Sequence, residues 1–146
     1  MPIPENEPCE WSSNNIGQQN KRRRVTTDPS AYRYDNSLIN QERLKNNLPA
    51  MKRSSYLEQL AKAHARSMAS RCNVVHSANN AKELGKRLKS DVVGENVQSG
   101  KSIRGMHAAQ SEVLRQNILG DFNQYGMGTA RGADGKLYLC QLFRTV

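Results

Sequence analysis

Apolar residues in the middle of the chain recur every three or four positions, which is the spacing of one helix face. The most regular run predicts a helix over residues 55–71. Its stripe consists of Leu57, Leu60, Ala61, His64, Ala65 and Met68. Ser54 or Ser55 can cap this helix, and Glu58 would complete a capping box with Ser55. A single histidine on such a stripe, here His64, is more often a packed residue than a ligand.

Three further segments have helical patterns. Asp35, Asn36 and Ser37 offer caps for a first helix over residues 37–46, which ends before Pro49 because proline restricts the preceding residue. Residues 81–89 predict a short basic helix that Gly85 weakens. Residues 102–119 repeat apolar side chains every three or four positions, which predicts a helix there.

The end of the chain has the character of a β-hairpin. Residues 125–130 and 137–143 predict strands, and Ala133-Asp134-Gly135-Lys136 between them is a hairpin signal. We interpret Gly94-Glu95-Asn96-Val97 as a turn that leads into another strand. Helices followed by a terminal hairpin predict an α+β fold, in which helices cover an antiparallel sheet.

Composition divides the 146 residues into an arm and one domain. Residues 1–33 contain few apolar side chains and could not offset their ordering entropy, so we expect a disordered basic arm before a domain over residues 34–146. Within this arm, Lys21, Arg22, Arg23 and Arg24 form a candidate nuclear-import or polyanion-binding patch. The alternative is a solvated charge run without a partner.

The net charge of +9 and the pI of about 9.8 favour acidic partners such as nucleic acid, anionic lipid or acidic wall polymers. A basic protein with no such partner is an equal alternative. No apolar stretch approaches the length of a membrane span. The first residues, MPIPENEPCEWSS, lack the features of a signal peptide, so we expect that the protein stays inside the cell or that its true start is missing.

The three cysteines are Cys9, Cys72 and Cys140. An odd count permits one bridge at most, with one thiol left over. Cys72 and Cys140 are the best candidates for a disulfide because Cys9 belongs to the arm. Two thiols that never meet are equally compatible with the sequence.

The order of these segments resembles the CAP superfamily, which comprises the cysteine-rich secretory, antigen 5 and pathogenesis-related proteins and is also called the SCP domain. LINQERLKNNLPAM resembles the opening helix, with Asn40 and Arg43 in the N-x-x-R places, and LEQLAKAHARSMASRC resembles the second helix. The later matches are His76-Ser77, Gly94-Glu95-Asn96-Val97, Asn117-Ile118-Leu119, Gly126-Met127-Gly128 and YLCQLF.

This resemblance implies a three-layer α-β-α sandwich with a central antiparallel sheet. It also implies a cleft of two histidines and two acidic residues, which binds a divalent metal in some members. His76 matches the first histidine and Glu95 the glutamate beside Asn96, so these side chains are expected to face one cleft. Leu114 stands where the second histidine is expected, and the usual tryptophan before it is missing. Glu112 is a candidate for the second acid.

These departures weaken both metal binding and catalysis. Zinc usually needs three or more protein ligands, and His76 and Glu95 supply two. His107 could substitute, although we expect it at the surface. We therefore expect weak or no metal binding, no cofactor and no catalytic residue, with a structural bond between His76 and Glu95 as a serious alternative.

Three functions remain open. The first is a non-enzymatic module that binds a lipid, a sterol or a cell-surface component, outside the cell by family habit. The second is a metal-dependent hydrolase that uses the same cleft. The third is a basic nuclear or polyanion-binding protein, for which the arm offers no aromatic residue among its arginines to stack on bases, so specific nucleic-acid binding is not expected.

Overall fold

A computed structural model describes residues 38–146. The predicted arm, its Lys21–Arg24 patch, Cys9 and the start of the domain at residue 34 lie outside these residues. The elements in chain order are α1 (38–45), β1 (Lys52–Arg53), α2 (Ser55–Arg71), α3 (Ala81–Leu88), β2 (Val93–Gly100), α4 (Ile103–Ala108), α5 (Glu112–Ile118), β3 (Gln124–Arg131) and β4 (Leu137–Arg144).

Helix α2 has the predicted bounds, but its N-terminal cap differs from the predicted capping box. Ser54 is the cap, and its hydroxyl accepts the Leu57 N–H at 3.2 Å. Glu58 instead forms an ion pair with Arg53. The helix ends at Cys72, which adopts a left-handed conformation with φ of 48°. Ser54, one of the two serines predicted as caps, therefore satisfies one of the first free backbone donors.

Two other local predictions need correction. The helical pattern over residues 102–119 forms two short helices, because Ser111 accepts the Leu114 N–H and starts α5 as a separate element. The Gly-Glu-Asn segment is no turn but part of β2, since residues 94–96 pair with residues 141–143 of β4. The first helix, the 81–89 helix and both hairpin strands are confirmed.

The four strands form one sheet in the order β1-β3-β4-β2. The three long strands are antiparallel, as expected, whereas the two-residue β1 runs parallel to β3 at the far edge. The fold is therefore α+β with a mixed sheet. Gly135, with φ of 81°, makes the tight connection between β3 and β4.

Helices cover both faces of this sheet. Alternate residues of β4 point to opposite sides, which divides the core in two. Helices α2 and α3 pack on Tyr138, Cys140 and Leu142. The opposite face carries Leu137, Leu139 and Phe143, and it packs against apolar residues of α1, α4 and α5, among them Ile39, Met106 and Ile118. Helices on both faces of the sheet agree with the α-β-α layering that the resemblance implies.

Helix α2 packs directly against the backbone of β3 because two glycines of this strand face it. A Cβ atom at Gly126 would lie 2.4 Å from the Glu58 backbone nitrogen, and one at Gly128 would lie 2.4 Å from the Lys62 Cα atom. Only hydrogen fits at these two positions. The Gly-Met-Gly segment therefore sets the distance between helix and sheet.

Arg43 fastens α1 to the end of α5 and to the segment that follows it. Its side chain is buried, and it donates to the carbonyls of Pro49, Ile118 and Gly120 at 2.8–2.9 Å. Burial lowers the pKa of this guanidinium, an effect that the charge of Asp121 partly offsets. One side chain thus joins the end of α1, the end of α5 and the connection to β3.

Candidate functional site

His76 and Glu95 lie in hydrogen-bond contact. Glu95 is in β2 on the face that α2 and α3 cover, and His76 lies in the segment between these helices. The His76 Nδ1 atom is 2.8 Å from Glu95 Oε1. The Glu95 side chain is only 3% exposed, whereas that of His76 is 62% exposed. The pair therefore joins a surface loop to a buried carboxylate.

Glu95 accepts further hydrogen bonds from two residues. The Ser77 backbone N–H donates to Oε1 at 2.9 Å, and the Ser77 hydroxyl donates to Oε2. The Cys140 thiol, in the adjacent strand, lies 3.8 Å from Oε2. Burial raises the pKa of Cys140 well above its ordinary value, and the charge of Glu95 adds to this effect. Both carboxylate oxygens are thus engaged by donors of the chain itself.

The suggested bridge between Cys72 and Cys140 is wrong. Cys140 is a free, buried thiol in the middle of β4. Cys72, at the end of α2, is disulfide-bonded, and its partner is not Cys140. Cys140 instead faces Glu95, which strand alternation places on the same side of the sheet.

The arrangement does not fit a divalent metal. His76 directs Nδ1 to Glu95 and leaves only Nε2 for a ligand, and the Glu95 oxygens already accept bonds from Ser77. Among residues 38–146, no group of three or more histidine, cysteine, aspartate or glutamate residues could hold a metal ion. A metal ion would have to displace existing bonds at Glu95 and find its remaining ligands elsewhere.

Asn96 points to the opposite face, where it joins a second polar network. Its Nδ2 atom donates to the Leu114 carbonyl at 2.9 Å and to Gln141 Oε1 at 3.1 Å. Asn117 Nδ2 donates to Asn96 Oδ1 at 2.8 Å. Gln141 Nε2 lies 3.2 Å from the Nε2 atom of His107. The network connects α4 and α5 to the edge strand through fully buried Asn96 and Gln141.

The predicted cleft residues are thus divided between two places. His76 and Glu95 line a cavity of about 230 Å³, to which Leu114 and Glu112 do not contribute. Glu112 is exposed in the first turn of α5. His107, expected at the surface, is half-buried against Gln141. The sequence analysis did not identify four of the partners: Ser77, Asn117, Cys140 and Gln141. Alternation along β2 and β4 is the signal that separates the residues of one face from those of the other.

A groove lies between α2 and α3, beside the pair. We call it the α2–α3 groove; its volume is about 250 Å³. Its lining residues are Leu60, Ala63, His64, Ser67, Ser77, Leu84, Arg87, Leu88 and Leu142. His64 is half-buried, as the sequence predicts, and its Nε2–H donates to the Val75 carbonyl at 2.6 Å. The groove thus has an apolar floor and a polar rim.

We expect Glu95→Ala to lower the free energy of unfolding by about 2–3 kcal/mol, because the donors of Ser77 and Cys140 lose their acceptor. His76→Ala should cost about 1 kcal/mol or less, since its ring is largely exposed. Urea denaturation without added metal measures both changes. Equal stability of Glu95→Ala and the unchanged protein would contradict a structural role for the carboxylate.

In the part of the chain that the structure describes, no helix combines the length and the apolar character that crossing a membrane requires. A search of curated proteins gave no significant match. Solved structures with the same fold are found in bacteria. One is an outer surface protein from Borrelia burgdorferi, with a TM-score of 0.72 and 18% identity over 84% of this chain and 98% of that one.

A second similar structure is an extracellular protein containing an SCP domain from Bacillus anthracis str. Ames. Its TM-score is 0.63 at 21% identity; the alignment covers 94% of this chain and 45% of the other, so this chain spans less than half of that protein. At such identities the likeness establishes the fold. The family described as CAP, cysteine-rich secretory protein family, matches residues 37–143, which is most of the sequence. The chain therefore belongs to the CAP family.

Proposed function

We propose that this CAP domain is a non-enzymatic module that binds an amphipathic lipid in the α2–α3 groove. The observation that carries the proposal is the apolar floor of the groove, formed by Leu60, Leu84, Leu88 and Leu142, beneath a polar rim. Ligand sites are typically apolar with a few placed polar groups. A fatty acid has the matching division into an apolar chain and one charged end.

Arg87 is suited to bind the charged end of such a ligand. Its side chain lines the groove and is 53% exposed, and the bond from its Nη1 to the Ser77 carbonyl fixes its position. Glu83 is 3.9 Å from its Nη2, which is a loose contact at the surface. A guanidinium held in this way can form a charge-assisted bond with a ligand carboxylate.

The size of the groove favours a single acyl chain. Its volume of about 250 Å³ is slightly below the range of about 300–1,000 Å³ that is usual for ligand pockets. A narrow chain can enter it in part, whereas a fused-ring sterol needs the walls to move. We therefore place a fatty acid before a sterol or a soluble cell-surface component as the ligand.

The state of the neighbouring acid–base pair supports binding over hydrolysis. A hydrolase needs a nucleophile, a base and an orienting group within hydrogen-bond reach of one another and accessible to the substrate. Glu95 already accepts bonds from His76 and Ser77, and the ring nitrogen of His76 that faces the interior is directed at Glu95 rather than at the Ser77 hydroxyl. These bonds hold the segment of His76 and Ser77 against β2, and they occupy the groups that would otherwise act as base and nucleophile.

Ala63→Trp tests the proposal, because this exposed alanine lines the groove and the indole would fill it without changing the core. We expect the affinity for a fluorescent fatty acid to fall by about tenfold or more, the equivalent of roughly two buried methylene groups. Ala108→Trp, at an exposed alanine of α4, is the matched control and should bind normally.

Two results would contradict the proposal. One is a lack of saturable fatty-acid binding by the unchanged protein. The other is esterase or peptidase activity that disappears in the His76→Ala variant, which would favour the hydrolase. Fatty-acid binding by a His76→Ala protein should remain, since His76 does not line the groove.

A further inference from the structure

The outer side of α3 carries a group of lysines. Lys82, Lys86 and Lys89 are spaced four and three residues apart, so they share one side of the helix. All three are exposed, and they line an open depression of about 550 Å³. We call these three residues the lysine face. It is the side of α3 opposite Leu84 and Leu88, which are buried against the core.

The position of the last lysine is fixed by the fold. Lys89 ends the helix in a left-handed conformation with φ of 55°, and its Nζ atom lies 4.8 Å from the centre of the Tyr56 ring. Arg144 lies over the same ring at 5.5 Å. Acidic residues are few here: Asp91 lines the depression, and Glu83 is directed towards Arg87. The surface is therefore positively charged.

An exposed apolar side chain, Val92, adjoins this charged surface. Val92 is 49% exposed and directly follows Asp91, and its backbone is held by the Ser90 hydroxyl at 3.2 Å. The Thr145 N–H donates to the Val92 carbonyl at 3.1 Å, which fixes the backbone of Val92 further. Lysines beside an exposed valine are suited to a membrane surface, which has anionic headgroups outside and apolar chains beneath them.

We propose that the lysine face and Val92 dock this protein onto an anionic lipid bilayer. The lysines would contact the headgroups, and Val92 would enter the interface. Nucleic acid is a poorer match, because the ring beside the lysines, Tyr56, already packs with Lys89 and Arg144 and would have to exchange these contacts to stack on a base.

This inference builds on the proposed function, for which it names the surface from which the lipid is taken. Helix α3 forms one wall of the α2–α3 groove and contributes Leu84 and Leu88 to its floor, while its outer side carries the lysines. Docking through α3 therefore brings the wall of the groove to the membrane. A lipid monomer would then have a short path from the bilayer into the groove.

The test is co-sedimentation of the full chain with vesicles of phosphatidylcholine containing about one third phosphatidylserine. Alanine at Lys82, Lys86 and Lys89 together is expected to weaken binding about 100-fold, or about fivefold for each charge near the surface. Alanine at Lys45, Lys101 and Lys136 removes the same charge from exposed sites elsewhere and should have little effect. An equal loss in both triple variants would overturn the proposal, because net charge alone would then explain binding.

Val92→Ser distinguishes a bilayer from a soluble polyanion, since it changes no charge. We expect vesicle binding to fall about fivefold, while retention on heparin stays the same. An unchanged vesicle affinity would overturn the assignment to lipid and favour a polyanion. The lysine variants should keep soluble fatty-acid binding. Failure of vesicle binding with intact fatty-acid binding therefore rejects the inference alone, and the reverse result rejects the proposed function.

Discussion

Arg43→Ala is expected to lower the free energy of unfolding by about 3–4 kcal/mol, a large share of the stability of a domain of this size. Three carbonyls, those of Pro49, Ile118 and Gly120, each lose a short hydrogen bond from a charged donor. Bonds of this kind contribute more than neutral ones, and the buried carbonyl of Ile118 has little access to water. Urea denaturation at neutral pH measures the change.

Arg43→Lys separates charge from geometry. A single ammonium cannot reach carbonyls on three segments, whereas the planar guanidinium does so. We therefore expect the lysine variant to lose about 2–3 kcal/mol, most of the alanine effect. Arg104→Ala, at an exposed arginine of α4, should change stability by about 0.5 kcal/mol or less. A loss of under about 1 kcal/mol in Arg43→Ala would mean that water replaces the guanidinium at these carbonyls.

Gly128→Ala should be as damaging, although it adds only one methyl group. The new Cβ atom would lie 2.4 Å from both the nitrogen and the Cα atom of Lys62. These are backbone atoms of α2, so no side-chain rotation can relieve the overlap and the helix must move away from the sheet. We expect a loss of about 3 kcal/mol or more, at the upper end of the usual cost of overpacking.

Gly105→Ala is the control for this substitution. Its Cβ atom would meet only the Ser102 hydroxyl, at 3.0 Å, and Gly105 is on the exposed side of helix α4. Because alanine also favours a helix, the expected change is within about 1 kcal/mol of zero. Thermal unfolding of the two variants side by side would decide the matter. Similar melting temperatures would show that α2 can shift at little cost.

The sequence predicts α2 well because several local signals coincide there. A regular apolar stripe and a serine cap together predict a helix over residues 55–71, which the structure confirms. The pattern over residues 102–119 is equally periodic, yet Ser111 interrupts it with a cap of its own. The strand character of residues 94–96 depends on partners in β4 about 45 positions away, such as Gln141 opposite Asn96. A short window of sequence cannot contain that information.

The candidate site was predictable only in part for the same reason. The resemblance identifies His76 and Glu95, which the structure brings together. The contact between the Cys140 thiol and Glu95 depends on the register between β2 and β4. Cys140 pairs with Val97, and Glu95 lies two residues before Val97 on the same face of the sheet. The register is a long-range property, so the sequence instead suggested a bridge from Cys140 to Cys72. The separation of Leu114 from His76 likewise follows from alternation across the sheet.

The two glycines of β3 that face α2 also determine which helix can move when the domain binds a large ligand. At Gly126 and Gly128 the backbone of β3 is in close contact with the backbone of α2. Helix α2 can therefore neither approach the sheet nor roll on it without a steric clash. Helix α3 is attached more lightly, through Leu84, Leu88 and hydrogen bonds to carbonyls near its end. Any widening of the α2–α3 groove around a large ligand must therefore come from a movement of α3. Faster amide exchange in that helix alone, on loading with a long acyl chain, would be its signature.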